Sequence, residues 1–192
     1  MEIFNENLND NPEVKPGNLL LAEPMLADPN FQRSVILVCE HDREQGSFGL
    51  VLNQLAEVIV SDPLLRPYLE GNLYVGGPVQ QNTLHYIHSL PSITGSIPLG
   101  DGLLWGGDFQ ELQQALRSGE AQPGNCRFFI GYSGWAPQQL DGEISQNSWV
   151  IARTSPSIVL STPADDLWKA VLTQMGGKYA MYTNFPTDPS LN

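Results

Sequence analysis

Positive charge is scarce in this chain: nine Lys and Arg stand against 21 Asp and Glu over 192 residues, a formal net charge of −12. Such a surface repels phosphate backbones and anionic membranes at long range. The cations are scattered from Lys15 to Lys178 without forming a stripe, so direct nucleic-acid contact is not expected. Cysteine is nearly absent as well. Cys39 and Cys126 each fall in or beside a run that reads as a buried strand, which predicts free thiols serving as small apolar side chains rather than a disulfide. No apolar run reaches the roughly 18 residues that a membrane span requires. Met1 to Pro16 is polar and acidic, which fits neither a secretory signal nor a transit peptide, and a cytoplasmic location is the expectation.

What the chain does have is 41% apolar residues, enough to fill one core, and 18 Gly with 15 Pro, which predict short elements joined by tight turns. Residues 1–17 read as a flexible acidic tail, 18–185 as a single domain and 186–192 as a C-terminal tail. Leu19 to Ala22, Ser34 to Glu40, Phe48 to Asn53, Leu73 to Val75, Thr83 to Ser89 and Cys126 to Tyr132 have the apolar and β-branched character of strands. Ile97 to Leu99 and Leu103 to Trp105 flank the turn Gly100-Asp101-Gly102, and Trp149 to Ala152 and Ser157 to Leu160 complete the strand set. Helices are expected after Asp62-Pro63, after Asp108 with Glu111 as its capping-box partner, from Pro137 to about Gln146, and after Thr162-Pro163 up to Gly176-Gly177. Strands and helices interleave without a βαβ rhythm, so the fold class is α+β with a mixed, largely antiparallel sheet and about four flanking helices.

With these elements placed, five strings carry a resemblance: LLAEPMLADPNFQRSVILVCEHD (Leu20 to Asp42), GLVLN (Gly49 to Asn53), LYVGGPV (Leu73 to Val79), DGLLWGGD (Asp101 to Asp108) and FFIGYSGWAPQQLDGEISQNSW (Phe128 to Trp149). In order and spacing they are similar to the AlgH/YqgE family of bacterial proteins. The resemblance implies a compact α+β domain whose sheet curls into a pseudo-barrel, a cytosolic setting and no established biochemical activity. Family members are often labelled transcriptional regulators but have no recognised DNA-binding motif. Its motif loops place Asp28, Asn53, Gly76, Gly77, Pro78, Gly106, Gly107 and Asp108 here. Two departures stand out: Gln54 and Leu55 follow Asn53 where the family often has a basic residue and Pro, and Gly142 sits inside a helix.

Gly131-Tyr132-Ser133-Gly134-Trp135 reads as a sharp turn between strand and helix, yet Trp135 stands where a nucleophile elbow needs Gly. All three histidines, His41, His85 and His88, also precede Ser133, so a serine nucleophile is not expected. The same turn leaves the amides of Gln138 and Gln139 free at a helix start. A small anionic metabolite is a candidate ligand there, with Tyr132, Ser133 and Trp135 as its surroundings and Gln139 as a polar contact. Cys39 and His41 share a strand face but have no second ligand pair, so no metal or other cofactor is expected. Asp28, Asp42, Asp108 and Glu143 lie at loops and helix starts. A binding or regulatory module that engages a protein partner or this small anion is the reading. A hydrolase using clustered Asp and Glu is the alternative, and a DNA-binding regulator the third. The Gly and Trp loops around Gly76, Trp105 and Trp135 are expected to form one recognition face.

Overall fold

The computed structural model describes residues 13–26, 28–57, 60–61 and 65–186. The strands are β1 (Leu19–Ala22), β2 (Val35–Asp42), β3 (Gly46–Val51), β4 (Leu73–Val75), β5 (Val79–His88), β6 (Ile97–Gly100), β7 (Leu103–Trp105), β8 (Cys126–Trp135) and β9 (Trp149–Ala152). The helices are α1 (Arg66–Leu69), α2 (Phe109–Ser118), α3 (Gln139–Ser145), α4 (Pro156–Ser161), α5 (Ala164–Met175) and α6 (Gly177–Tyr182). The architecture is therefore mixed α+β, with six helices among the described residues rather than about four.

The nine strands form one sheet in the order β6-β7-β5-β8-β3-β2-β1-β9, with β4 pairing β8 off this path. Every pairing is antiparallel except β4 with β8. The sheet is curled but not closed into a barrel. Its far end approaches its near end where Gly17 meets β6, since a Cβ at Gly17 would collide with the Leu99 carbonyl, yet β6 and β9 remain the two ends of the path.

β8 organises this sheet. One of its edges is taken by β5, with Tyr86 opposite Phe128. The other is shared, by β4 from Phe128 to Ile130 and by β3 from Ser133 to Trp135. At the handover the chain leaving β4 passes directly over β8: the Gly76 amide donates to the Ile130 carbonyl (2.8 Å), and the Gly76 carbonyl accepts from the Val51 amide (2.8 Å) and the Ser133 hydroxyl (3.1 Å). Gly131 takes φ +66° there, and a Cβ on it would lie 2.7 Å from the Gly77 carbonyl oxygen and 2.8 Å from that of Val79. A Cβ on Gly76 or Gly77 would collide with the β8 backbone in return. The paired glycines thus serve a close approach of two backbones rather than a turn.

Each sheet face has its own core. On one, Leu19, Leu21, Leu37, Cys39, Leu50, Ile87 and Phe129 pack under α4 and α5. On the other, Leu20, Ile36, Val38, Val51 and Trp135 pack under α3, while Tyr86, Leu112, Leu116, Cys126 and Phe128 form a separate cluster under α2. Strand alternation sets this division, as neighbouring residues of β1 and β2 fall in different cores. Both cysteines are free and buried. Burial pushes the Cys126 thiol up to about 12 and Cys39 well above its ordinary value, so neither supplies a thiolate at neutral pH.

Several elements differ from expectation for identifiable reasons. Ser157 to Leu160, expected as a strand, is helix α4: Ser155 caps it through its hydroxyl, and Pro156 occupies the first turn, the cap signal that outweighs the β-branched Ile158 and Val159. Thr162 closes α4 rather than capping α5, whose N-cap is Pro163. Gly176 ends α5 as expected, and a further helix not expected from the sequence, α6, begins at Gly177. Asp108 caps α2 as expected, accepting from the Gln110 (2.8 Å) and Glu111 (2.9 Å) amides, but Glu111 completes no capping box: its carboxylate receives the Thr94 amide (2.6 Å) and hydroxyl (2.9 Å). The expected helix start at Asp62-Pro63 lies outside the described residues, as does the tail up to residue 12. Val14 is buried at 4% exposure, so the packed chain begins ahead of β1. No helix among the described residues is long and apolar enough to cross a membrane.

Gly131→Ala is expected to destabilise the fold by about 2 kcal/mol or more, because both the left-handed backbone and the contact with Gly77 resist a side chain. Gly142 in α3 has open space around its Cβ position, so Gly142→Ala should stabilise by up to about 1 kcal/mol. Urea midpoints moving in opposite directions would bear this out; equal shifts would contradict it.

Candidate functional site

The β2–β3 hairpin carries an irregularity between Val38 and Glu40 that changes which side chains share a face. Glu40 sits opposite Phe48, and His41 opposite Ser47. Cys39 points into the core under α5, while His41 joins the other face, so the two expected on one face are separated by this bulge. Glu40, Asp42 and Phe48 are left on the same side of the hairpin. The Asp42 carboxylate accepts the turn amides of Glu44 (2.8 Å) and Gln45 (2.9 Å), and these bonds hold it below the usual carboxylate range.

The Gly131 break performs the matching operation on β8. Past it, Gly134 pairs with Phe48, so Tyr132 stands on the Phe48 side and Ser133 and Trp135 on the opposite one. Phe48 stacks on Tyr132 (centroids 4.6 Å apart) and on Trp105 of β7 (5.0 Å), and His85 of β5 meets Phe48 edge-on at 5.2 Å. The Thr83 hydroxyl donates to the Gln80 carbonyl (2.8 Å) and so accepts from His85 Nε2 (3.1 Å); burial lowers the His85 pKa. Around the hairpin turn and the end of β8 lies an open groove of about 480 Å³ lined by Glu40, His41, Asp42, Ser47, Phe48, Tyr132 and Trp135. His41 Nδ1 and the Ser47 hydroxyl are hydrogen-bonded at 2.8 Å across its wall. No Lys or Arg lines it.

On the far face Glu143 of α3 joins two indoles. Its Oε2 accepts from Trp135 Nε1 (2.9 Å) and Trp149 Nε1 (2.8 Å), its Oε1 accepts from Gln139 Nε2 (2.9 Å), and the two rings meet edge-to-face at 6.3 Å. Trp135 is thereby an anchor for α3. The single face expected from Gly76, Trp105 and Trp135 is split, with Trp105 and Trp135 on opposite sides of the sheet.

The donors expected to hold an anion are occupied. β8 continues to Trp135, so the expected turn at Ser133 is strand, and Ser133 is buried at 2% exposure. α3 begins at Gln139 rather than Pro137 because Gln138 adopts φ +64°. The Gln138 amide donates to the Arg43 carbonyl (3.1 Å), the Gln139 amide to that of Ala136 (3.0 Å), and the Gln139 side chain accepts from the Ala136 amide (2.9 Å). An Arg43–Asp141 ion pair (3.2 Å) adds to this junction of hairpin and helix.

The motif loops separate into structural roles. Asp28 accepts the Asn30 amide (2.9 Å); Asn53 accepts the Val35 amide (2.8 Å) and donates to the Arg33 carbonyl (3.0 Å), tying the Asp28 loop to β3. Gly76 and Gly77, with Pro78 leading into β5, form the crossing over β8. The Gly106 and Gly107 carbonyls receive His88 Nε2 (2.9 Å) and the Tyr86 hydroxyl (2.5 Å). His88 is fully buried, and its Nδ1 accepts the Leu90 amide (3.1 Å), which fixes a neutral ring. The carboxylates Asp28, Asp42, Asp108 and Glu143 are each engaged locally, and no group of three or more His, Cys, Asp or Glu placed to hold a metal occurs among the described residues. Glu40, Ser47 and Phe48 were not singled out by the sequence; the acid-His-acid string Glu40-His41-Asp42 before a turn was the available signal.

Glu143→Ala should cost about 2 kcal/mol by leaving two nearly buried indole N–H groups without an acceptor, and Glu143→Gln less, with the loss read from urea unfolding followed by Trp fluorescence. Equal costs would contradict the acceptor role. Burial depresses the His85 and His88 pKa values below the ordinary 6.5, so the unfolded chain takes up protons first as pH falls. Their contribution to stability is full above about 6.5 and is lost below it as pH falls toward the folded-state values. The urea midpoint should therefore drop between pH 7.5 and 5.5, and an increase would contradict the sign.

An AlgH-like family model matches residues 19–180. UPF0301 proteins of Cytophaga hutchinsonii and Chlorobium limicola are 38% and 39% identical, over 92% and 96% of this chain and 98% and 100% of theirs. Among solved structures, a Corynebacterium diphtheriae protein aligns with a TM-score of 0.73 at 28% identity, covering 92% of this chain and 95% of that one. The solution structure of AlgH from Pseudomonas aeruginosa aligns at 0.67 and 25% identity, covering 96% and 98%. With the sheet, the glycine crossing and the motif loops in one frame, the chain belongs to the AlgH-like family.

Proposed function

We propose that this protein is a binding module whose β2–β3 groove receives a basic side chain, Lys or Arg, presented by an extended segment of a protein partner. The observation that carries the reading is the grouping of the Glu40 and Asp42 carboxylates with the Phe48 and Tyr132 rings on one side of a groove with no cation in its lining. Carboxylates and aromatic faces together favour ammonium and guanidinium groups over anions, which reverses the sign of the ligand expected from the helix start. The net charge of −12 steers a basic partner toward the protein and repels a nucleic acid. An extended segment is favoured because β1 stops opposite Leu37: among the described residues, no strand pairs with β2 beyond Val38 on that side, beside the groove. A regulatory role, on this reading, passes through a protein contact.

Calorimetric titration with an acetylated, amidated Lys- and Arg-containing pentapeptide tests the reading. Binding should weaken about tenfold in the Glu40→Gln/Asp42→Asn double variant, and its salt dependence should flatten. Unchanged affinity in the double variant, or equal affinity for a Gln-substituted peptide, would contradict it.

A further inference from the structure

The groove adjoins an unfinished sheet edge. The segment leading into β1 covers β2 only as far as Val38, whose amide donates to the Asn18 carbonyl (2.9 Å) and whose carbonyl accepts from the Gly17 amide (2.7 Å). From Cys39 to Asp42 the strand has β3 on one side, and on the other no backbone group of another element bonds to it among the described residues. At about 3.3 Å per residue this open length is on the order of 13 Å, room for a segment of about four residues.

Successive side chains along such an edge point to opposite sides. Glu40 and Asp42 stand on the Phe48 side, and His41 between them stands in a row with Ser47 and Trp135 on the other. Both carboxylates have capacity left. Among the described residues Glu40 makes no ion pair, and Asp42 takes the two turn amides on Oδ1, leaving Oδ2 open. The neighbouring cation, Arg43, is turned to Asp141 of α3. A second copy of the chain is the wrong occupant: if the two edges paired antiparallel about His41, Glu40 would face Asp42 across the two-fold axis, and like charges directly opposite destabilise a ladder. A basic strand meets a carboxylate at alternate residues instead.

Resting on the groove reading above, we propose that the partner segment adds to β2 as a strand in the lane that β1 leaves open and carries two basic residues separated by one uncharged residue. The two cations face Glu40 and Asp42, and the residue between them faces the side of His41 and Ser47. Main-chain hydrogen bonds to the edge supply affinity, and the alternation selects among basic sequences. Two adjacent cations do not fit, because a strand sends one of them to the His41 side, where the lining has no carboxylate.

The test is a calorimetric titration of the full chain with two acetylated, amidated pentapeptides of one composition, threonine with lysine at positions two and four or at positions two and three. The alternating peptide should bind about fivefold tighter and should slow amide hydrogen exchange in segment 39–42. Glu40→Gln, a change at an exposed position, should bring the two peptides to equal affinity, since either can then place one lysine on Asp42. No binding of either peptide at low salt would overturn the groove reading and the added strand with it. Equal binding of both peptides to the unaltered chain, unchanged exchange at 39–42, or a preference kept in Glu40→Gln would overturn the added strand alone and leave the groove reading standing.

Discussion

The structure depends on one close passage of backbone over backbone, where Gly76 and Gly77 cross β8 at Gly131. Three chains meet there, since β8 exchanges β4 for β3 as its neighbour, and the exchange leaves no room for a Cβ on any of the three residues. The Gly76 amide donating to Ile130, and its carbonyl accepting from Val51 and Ser133, hold the crossing closed, so the backbone groups freed by the change of partner are paired again at once. Without the left-handed step at Gly131, strand alternation would carry Tyr132 to the α3 side of the sheet.

That step decides how the aromatic residues divide. Tyr132 joins Phe48, Trp105 and His85 on the side where Glu40 and Asp42 stand, and Trp135 goes to the other side, where Glu143 holds it with Trp149. A second irregularity, the bulge after Val38, does the same for the hairpin by turning His41 away from Cys39 and bringing Glu40 opposite Phe48. Two local breaks of period thus assemble one acidic, aromatic groove and one buried indole anchor from a continuous run of strand residues.

These breaks also mark the limit of what the amino-acid order discloses. All nine strands were recognisable close to their observed places, most from apolar and β-branched runs, and β6 and β7 from their flanking of the turn Gly100-Asp101-Gly102. The caps at Asp108 and the hairpin after Glu40 were equally legible. Ser155-Pro156 carried a plain helix-start signal that Ile158 and Val159 obscured, because short apolar runs suit either a strand or a buried helix. The amides of Gln138 and Gln139 were legible as donors, but their acceptors, Arg43 and Ala136, depend on how the hairpin turn docks on α3. The groove was hidden for the same reason: a bulge reverses the face of every later residue and has no signature in spacing alone. Asn53 was visible as a motif residue, whereas its role in fixing the loop around Ser34 required the fold.

The glycine step places Tyr132 beside Phe48 on the side of the Glu40 and Asp42 carboxylates, the groove that we propose accepts a cation. Intermolecular nuclear Overhauser contacts between tetramethylammonium and the labelled full chain probe the groove without any partner. Contacts from the methyl protons to the Phe48 and Tyr132 rings, fading as salt is raised, are the predicted result. Contacts confined to other surfaces, or none at low salt, would contradict it.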